Sequence, residues 1–314
     1  MPSLPLRGEL VSASADQNKS YDGDTTQHDV KTIRGSNERL KPVVTVVSGL
    51  QIGETLILEE QFTIVGRDPC ADLMLIDSGI SRQHAKFECR LDGRVILHDL
   101  DSTNGIRVNG NAVSVAQLGS GDKIQVGPET ILKFRVEDPE EVEARMQQYE
   151  RSIRDDLTGI HNRRYFAVTL ERELSYIQRR NTVSSLVLLD IDHFKGVNDR
   201  FGHRCGDQVL KLLTKTISNY IREEDVFARW GGEEFVLLLR GMDRELAHTV
   251  AERIRMQVEQ LRIKSGDTML SITASFGVSE IHLDRHATIE SAMHDVDGRL
   301  YEAKNNGRNQ TISG

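Results

Sequence analysis

Cysteine is scarce: Cys70, Cys89 and Cys205 are scattered along 314 positions with no C-x-x-C spacing. An odd, dispersed set excludes a disulfide framework, a zinc knuckle and a dithiol redox pair, and reads as reduced intracellular thiols. Long apolar runs are missing too, and none approaches the ~18–20 residues that a membrane-spanning helix needs. The opening Met1-Pro2-Ser3-Leu4-Pro5-Leu6-Arg7 lacks the charged-then-apolar layout of a signal peptide, so the expected location is the cytoplasm with no membrane partner. Positive charge is in deficit, with 40 Lys and Arg against 48 Asp and Glu and a net charge of -8. Such a chain is not built to coat a nucleic acid polymer, although a local basic pocket for a small phosphate ligand is compatible with it.

What is present is the balance of an ordinary soluble protein, 38% hydrophobic and 28% charged, at a length that suggests two domains. Residues 1–41 are rich in Ser, Asp, Asn, Gln and Thr without periodicity, and read as a flexible regulatory tail. Over 42–137, short β-branched runs follow one another: 43–47, 55–58, 62–65, 85–89, 95–97, 106–108, 123–126 and 131–136. Asn109-Gly110 punctuates them as a hairpin turn, and the spacing predicts an all-β sandwich. Asp138-Pro139-Glu140-Glu141 opens a linker helix over 138–154. Its narrow stripe of Val142, Met146, Tyr149 and Ile153 fits equally a helix docked on its own domain and a short self-pairing stalk. From 155 to 314, helical patterns (Leu246, Val250, Ile254, Val258, Leu261; Ile289, Met293, Val296, Leu300) interleave with strand-like runs at 183–191, 225–229, 235–239 and 270–278. That alternation predicts an α/β domain.

In this second domain, the run 184–192 reads as a buried strand ending in two carboxylates, Asp190 and Asp192, a place able to hold a hard cation if folding brings another carboxylate such as Glu233 close. Gly231-Gly232-Glu233-Glu234-Phe235 lies between two strand-like runs. Its glycines suit a tight turn at positive φ and let a nucleotide approach the backbone, just before two carboxylates.

These segments resemble the GGDEF-family diguanylate cyclases from about residue 154 to 312. Asp155-Asp156-Leu157-Thr158-Gly159 with Asn162-Arg163-Arg164 resembles the family's opening motif, and Asp190-Ile191-Asp192-His193-Phe194-Lys195 its metal and phosphate strand. Asn198 to His203, Gly206-Asp207 and Lys304 to Asn309 follow in family order. The resemblance implies a nucleotide-cyclase, palm-like domain with a largely antiparallel sheet. The activity implied is condensation of two GTP into cyclic di-GMP and two pyrophosphates by a homodimer.

Carried over residue by residue, the resemblance makes Asp190, Glu233 and the Ile191 carbonyl ligands of Mg²⁺ or Mn²⁺, with Glu233, Glu234, Asp190 and Lys195 catalytic. It makes Asn198 and Asp207 readers of guanine, and gives His193, Phe194, Gly231, Gly232, Lys304 and Arg308 to GTP binding. Asp accepts from the guanine N1 and N2 donors while the Asn amide answers O6. Glu at the third position of the turn, where Asp is usual, keeps the carboxylate, and His193 replaces a common aromatic. Arg222-x-x-Asp225, with Arg253, resembles the family's inhibitory site for its own product; an i,i+3 surface pair is the plain alternative.

In the N-terminal half, Val65-Gly66-Arg67, Ser81-Arg82-Gln83-His84 and Ser102-Thr103-Asn104-Gly105 resemble a forkhead-associated (FHA) domain. The family binds phosphothreonine. Arg67 and Arg82 would supply charge, Ser81 and Thr103 hydroxyls, and Asn104 a hold on the peptide backbone, while Gly66 and His84 support the loops. In the acidic tail, Thr26, or Thr25, is a candidate phosphosite for an unidentified Ser/Thr kinase. Tethering would then deliver the tail to its own FHA domain or a dimer partner's. Alternatives to an active cyclase are a catalytically silent receptor for GTP or cyclic di-GMP and a phosphopeptide adaptor.

Overall fold

The computed structural model describes residues 40–314 other than 267, 283 and 287. Two β-sheets face each other in the N-terminal part. Its strands are β1 (Lys41–Ser48), β2 (Thr55–Ile57), β3 (Phe62–Gly66), β4 (Leu73–Met74), β5 (Ala85–Cys89), β6 (Val95–Asp99), β7 (Ile106–Val108), β8 (Asn111–Val113), β9 (Val115–Gln117), β10 (Lys123–Gln125) and β11 (Ile131–Glu137). One sheet runs β2-β1-β11-β10-β7-β8 and the other β4-β3-β5-β6-β9. Alternate residues of the long strands, such as Val44, Val46, Leu132 and Phe134, meet Val65, Phe87 and Leu97 in one core. Each such side chain contributes about 1.5–3 kcal/mol of burial. Asn109 and Gly110 both have positive φ, 52° and 87°, the two-residue turn whose twist suits a hairpin between β7 and β8.

The linker helix α1 (Pro139–Ser152) is capped by Asp138, whose carboxylate accepts from the Glu140 amide at 2.9 Å, with Pro139 in the first turn. Val142 is buried and so is Ile153 at its end, whereas Met146 is exposed. Tyr149 lies against the backbone of Gly53. The stripe therefore rests on the sandwich at both ends and leaves one residue outside.

The C-terminal part comprises β12 (His161–Asn162), α2 (Arg163–Arg180), β13 (Ser184–Ile191), α3 (Phe194–Phe201), α4 (His203–Ser218), β14 (Val226–Arg229), β15 (Glu234–Arg240), α5 (Arg244–Glu259), β16 (Ile263–Ser265), β17 (Thr268–Leu270), β18 (Ala274–Glu280), α6 (Ile289–Asn305) and β19 (Thr311–Ser313). The sheet order is β12-β14-β15-β13-β18-β19. Pairing is antiparallel except at the edges, where β12 runs parallel to β14 and β19 to β18. β13 is buried along its whole length. Its alternating side chains feed two cores: Val187, Leu189 and Ile191 join α4 and α5, while Leu186 and Leu188 join α2 and α6. The run expected at 270–278 is divided, because β17 pairs with β16 in a separate two-stranded sheet and residues 271–273 lie outside any strand before β18 joins the main sheet. On α5, Leu246 is 55% exposed, and Ala247 and Ala251 take the inner face instead. A strict spacing of four drifts about 40° per step, so such a row slides off one face within a few turns.

The two parts touch through ion pairs and hydrogen bonds. Arg172 of α2 donates to both carboxylate oxygens of Glu54 at 2.7 and 2.6 Å, Arg179 pairs with Asp68, and Arg180 donates to the Cys70 Sγ at 3.7 Å. No helix among the described residues is long and apolar enough to cross a membrane.

Candidate active site and phosphate-binding loops

The register of the central sheet assembles the acidic cluster. Asp190 at the end of β13 is paired with Glu234 on β15 and with Ser275 on β18. Directly opposite residues share a face of the sheet. Glu233, in the turn before β15, has its carbonyl 3.4 Å from the Ile191 amide. Lys304 of α6 closes the group, its ammonium 3.0 Å from the Asp190 carboxylate. Burial pushes the Asp190 carboxyl above its ordinary range despite the pull of Lys304 and Arg308. Glu233 and Glu234 are raised as well, first by burial and then by the charge of Asp190. Like charges crowded in a poorly solvated place are what a bound cation would relieve. Among the described residues no three His, Cys, Asp or Glu side chains are gathered at metal-binding spacing. The donors expected for a metal, Asp190, Glu233 and the Ile191 carbonyl, are all oxygens, the hard type that suits a divalent cation.

Asp192 has a different occupation. Its buried carboxylate accepts from Thr273 Oγ1 and Ser275 Oγ, both at 2.7 Å, and from the Asn309 amide at 3.1 Å. It ties the strand end to β18 and to the segment after α6. The sequence alone gave no sign of this, since its partners lie more than 80 positions away.

The turn corrects one expectation. Neither Gly231 nor Gly232 has positive φ. A Cβ at 231 would lie 2.7 Å from Glu234 Oε2, so a side chain there would displace the end of that carboxylate; around Gly232 there is open room. The turn is fastened by Arg229, a role the motif reading missed. Its Nε donates to the Gly231 carbonyl at 3.1 Å and its Nη2 to the Gly232 carbonyl at 2.6 Å. Its Nη1 lies 3.1 and 3.2 Å from the two oxygens of Asp155, just past α1. Asp155 also accepts from Thr158 Oγ1 at 2.7 Å. One guanidinium fork thus joins the start of the domain to the glycine turn.

Asn198 on α3 packs against Gly206 on α4, the residue before Asp207; a Cβ there would fall 2.0 Å from Asn198 Oδ1. Asp207 is exposed and Asn198 half-buried. His193 starts α3 at φ 57°, followed by buried Phe194 and exposed Lys195. Arg308 is exposed beyond α6.

The Arg222–Asp225 side-chain pair does not form. The buried Asp225 carboxylate accepts instead from the backbone amides of Arg222 at 2.9 Å and Arg240 at 3.2 Å, holding the turn before β14. The Arg222 side chain is left free of Asp225 and lines a cleft of about 740 Å³ together with Glu54, Asp72, Arg172 and Arg240. Arg253 donates to the Tyr220 carbonyl at 3.1 Å and lies over its ring.

In the sandwich, three loops converge. The Arg67 amide donates to the Ser81 carbonyl and the Asp68 amide to the Arg82 carbonyl, both at 3.0 Å. A Cβ on Gly66 would sit 2.1 Å from the Arg82 carbonyl, so the approach requires glycine. The Thr103 amide donates to Ser81 Oγ at 3.0 Å, the two hydroxyls are 3.3 Å apart, and Asn104 Nδ2 donates to the Gly79 carbonyl at 2.8 Å. Behind them, buried His84 accepts from the Ser81 amide at Nδ1 (3.0 Å) and lies 3.2 Å from the Gly105 carbonyl at Nε2. Burial holds its pKa below the ordinary histidine value. The side chains of Arg67, Arg82, Thr103 and Asn104 are exposed around half-buried Ser81. Thr25 and Thr26 lie outside the described residues.

Both parts of the chain match known domain families. The family model of the diguanylate cyclase GGDEF domain matches residues 152–310. The chain belongs to this GGDEF family. An FHA domain model matches residues 63–127. Over 162 residues the chain is 40% identical to the diguanylate cyclase VdcA of Vibrio cholerae, which covers 50% of this chain and 46% of VdcA. Among solved structures, the coiled coil and GGDEF domain of DgcB from Caulobacter crescentus, in complex with c-di-GMP, superimposes with a TM-score of 0.53 at 31% identity. That match covers 56% of this chain and 93% of DgcB's. The diguanylate cyclase SiaD from Pseudomonas aeruginosa, solved with its activator SiaC, gives 0.52 at 38% identity over 56% of this chain and 66% of SiaD's. The chain spans less than half the length of the first curated relatives it matches, at 46%, 45% and 35%.

Proposed function

We propose that the C-terminal domain is an active diguanylate cyclase. The observation that carries this reading is the cluster of Asp190, Glu233 and Glu234, with raised pKa values and Lys304 against it, at the ends of the central strands of a GGDEF-family sheet. The ribose 3′-OH of one GTP attacks the α-phosphorus of a second; the new P–O bond forms as the bond to the β-phosphate breaks, and pyrophosphate leaves. Repetition in the opposite sense closes the ring. Asn198 and Asp207 hold the guanine edge, Lys195, Lys304 and Arg308 neutralise phosphate charge, and the backbones of His193, Phe194, Gly231 and Gly232 approach the phosphates closely. Glu233 or Glu234, raised towards neutrality, takes the hydroxyl proton. A divalent ion held by Asp190, Glu233 and the Ile191 carbonyl, Mg²⁺ or Mn²⁺, would supply Lewis-acid stabilisation of phosphate charge. Since one such domain holds one GTP, two face each other in a homodimer.

Regulation follows from the other sites. Arg222, free of Asp225, together with Arg253 binds accumulated cyclic di-GMP and slows the enzyme. Arg67, Ser81, Arg82, Thr103 and Asn104 receive a phosphothreonine, and the tail's Thr26 or Thr25, once phosphorylated by a Ser/Thr kinase in the cytoplasm, is one source of it. The deciding experiment incubates purified protein with GTP and Mg²⁺ and measures cyclic di-GMP beside a Glu233→Ala control. Product from the wild type alone supports the reading; GTP binding without product in either would make the domain a receptor.

A further inference from the structure

The loop that carries Arg67 faces two ways. Its next residue, Asp68, turns its carboxylate to Arg179 of α2, in the other domain, and also caps the Cys70 amide at 2.8 Å. The same Asp68 donates its backbone amide to the Arg82 carbonyl at 3.0 Å. Both arginines that would meet a phosphate are therefore backbone neighbours of the residue that carries this carboxylate. Left bare, that carboxylate would repel a phosphate carrying ~-1.5 to -2 charges. Arg179 cancels it.

The neutralising cation does not come from the sandwich. It belongs to a row on α2 that grips the sandwich edge: Arg164 donates to the Leu50 carbonyl at 3.4 Å, Arg172 to Glu54, Arg179 to Asp68 and Arg180 to the Cys70 sulfur. Side chains of Arg179 and Asp68 keep only 29% and 21% of their exposure, so water screens the pair incompletely. We propose that Arg179 of the cyclase domain completes the phosphothreonine site of the FHA domain, so that phosphopeptide binds more tightly when the two domains are docked. By linkage, a bound phosphopeptide then tightens the docking by the same factor. This rests on the FHA domain reading phosphothreonine.

The test uses the full chain and a degenerate pool of peptides with one fixed phosphothreonine, against the same pool carrying threonine. Arg67→Ala reports on the phosphothreonine reading itself and should abolish selective capture. Arg179→Ala should weaken affinity about threefold to tenfold, the scale of one charge at close range near a protein surface. Arg179→Lys, which keeps the charge, should stay within about twofold of wild type. Asp68→Asn removes the carboxylate that Arg179 serves, so adding Arg179→Ala to it should cost nothing further. Melting curves of each variant separate this from loss of fold. Capture lost by Arg67→Ala but unmoved by Arg179→Ala overturns the inference alone, as does an equal loss from Arg179→Ala in the Asp68→Asn background. Indifference of every variant, Arg67→Ala included, removes the phosphothreonine reading and the inference with it.

Discussion

In the sandwich, the candidate ligand contacts are exposed side chains on loops, and the group behind them is a buried neutral imidazole, His84. At the edge of the α/β sheet the contacts are carboxylates at strand ends, half or fully buried, with raised pKa values and a single close ammonium. The first arrangement waits for negative charge with solvated cations and preset loops. The second stores negative charge where water solvates it poorly, so it gains most from a cation. Under the proposed function, recognition and catalysis of phosphate compounds would use opposite electrostatic starting points on two folds of one chain.

The largest expected effect falls on the carboxylate side. Asp190→Asn should cut cyclic di-GMP formation by at least about 10³-fold, on the scale of losing a principal electrostatic group, whereas Arg67→Ala should leave turnover without peptide within about twofold. Equal losses in both variants would break the comparison. Next is Arg229→Lys, which can reach Asp155 or the glycine carbonyls but not both. A displaced turn should lower kcat about 10- to 100-fold at nearly constant KM for GTP, as read by steady-state kinetics. The two close-approach glycines sharpen the contrast. Gly66→Ala meets a backbone carbonyl and should cost about 1–3 kcal/mol in unfolding experiments. Gly206→Ala meets chiefly the movable tip of Asn198, with the Phe194 ring at 3.2 Å, and should raise KM severalfold while costing less stability than Gly66→Ala.

The smallest effect is set by pH. The folded pKa of His84 is depressed, so below its ordinary value of about 6.5 the unfolded chain binds the extra proton. The stability it contributes is full above that pH and is lost as pH falls through the folded value. Protonation at Nδ1 also removes the acceptor for the Ser81 amide. The protection factor of that amide in hydrogen exchange should therefore drop between pH 7 and 5, and His84→Gln should flatten the dependence.

Much of this was legible because it depends on local pattern. The longer strands show as β-branched runs, and Asp138-Pro139 announces the linker helix. The site motifs were visible as residue types, but their arrangement was not. β4, β8 and β9 are two or three residues long and owe their extension to partners elsewhere. Helix α2 carries Phe166, Leu170, Leu174 and Ile177 on one buried face, yet the opening motif drew attention from that pattern. The bonds of Asp192, Asp225 and Arg229 join segments whose proximity only the folded sheet creates. Side-chain identity told which chemistry was available; register decided which carboxylates were free to perform it.

The threefold grip on Asp192 bears on the order in which the protein is made. Thr273, Ser275 and Asn309 reach it from far downstream, and Lys304 reaches Asp190 from the same region. On the ribosome, the sandwich, whose strands all lie within residues 41–137, has every pairing partner while the cyclase sheet still lacks its later strands. The acidic edge closes only after residue 309 has emerged. A nascent or C-terminally clipped chain therefore presents a fully paired sandwich beside an acidic cluster that still lacks Lys304 and the bonds that hold Asp192.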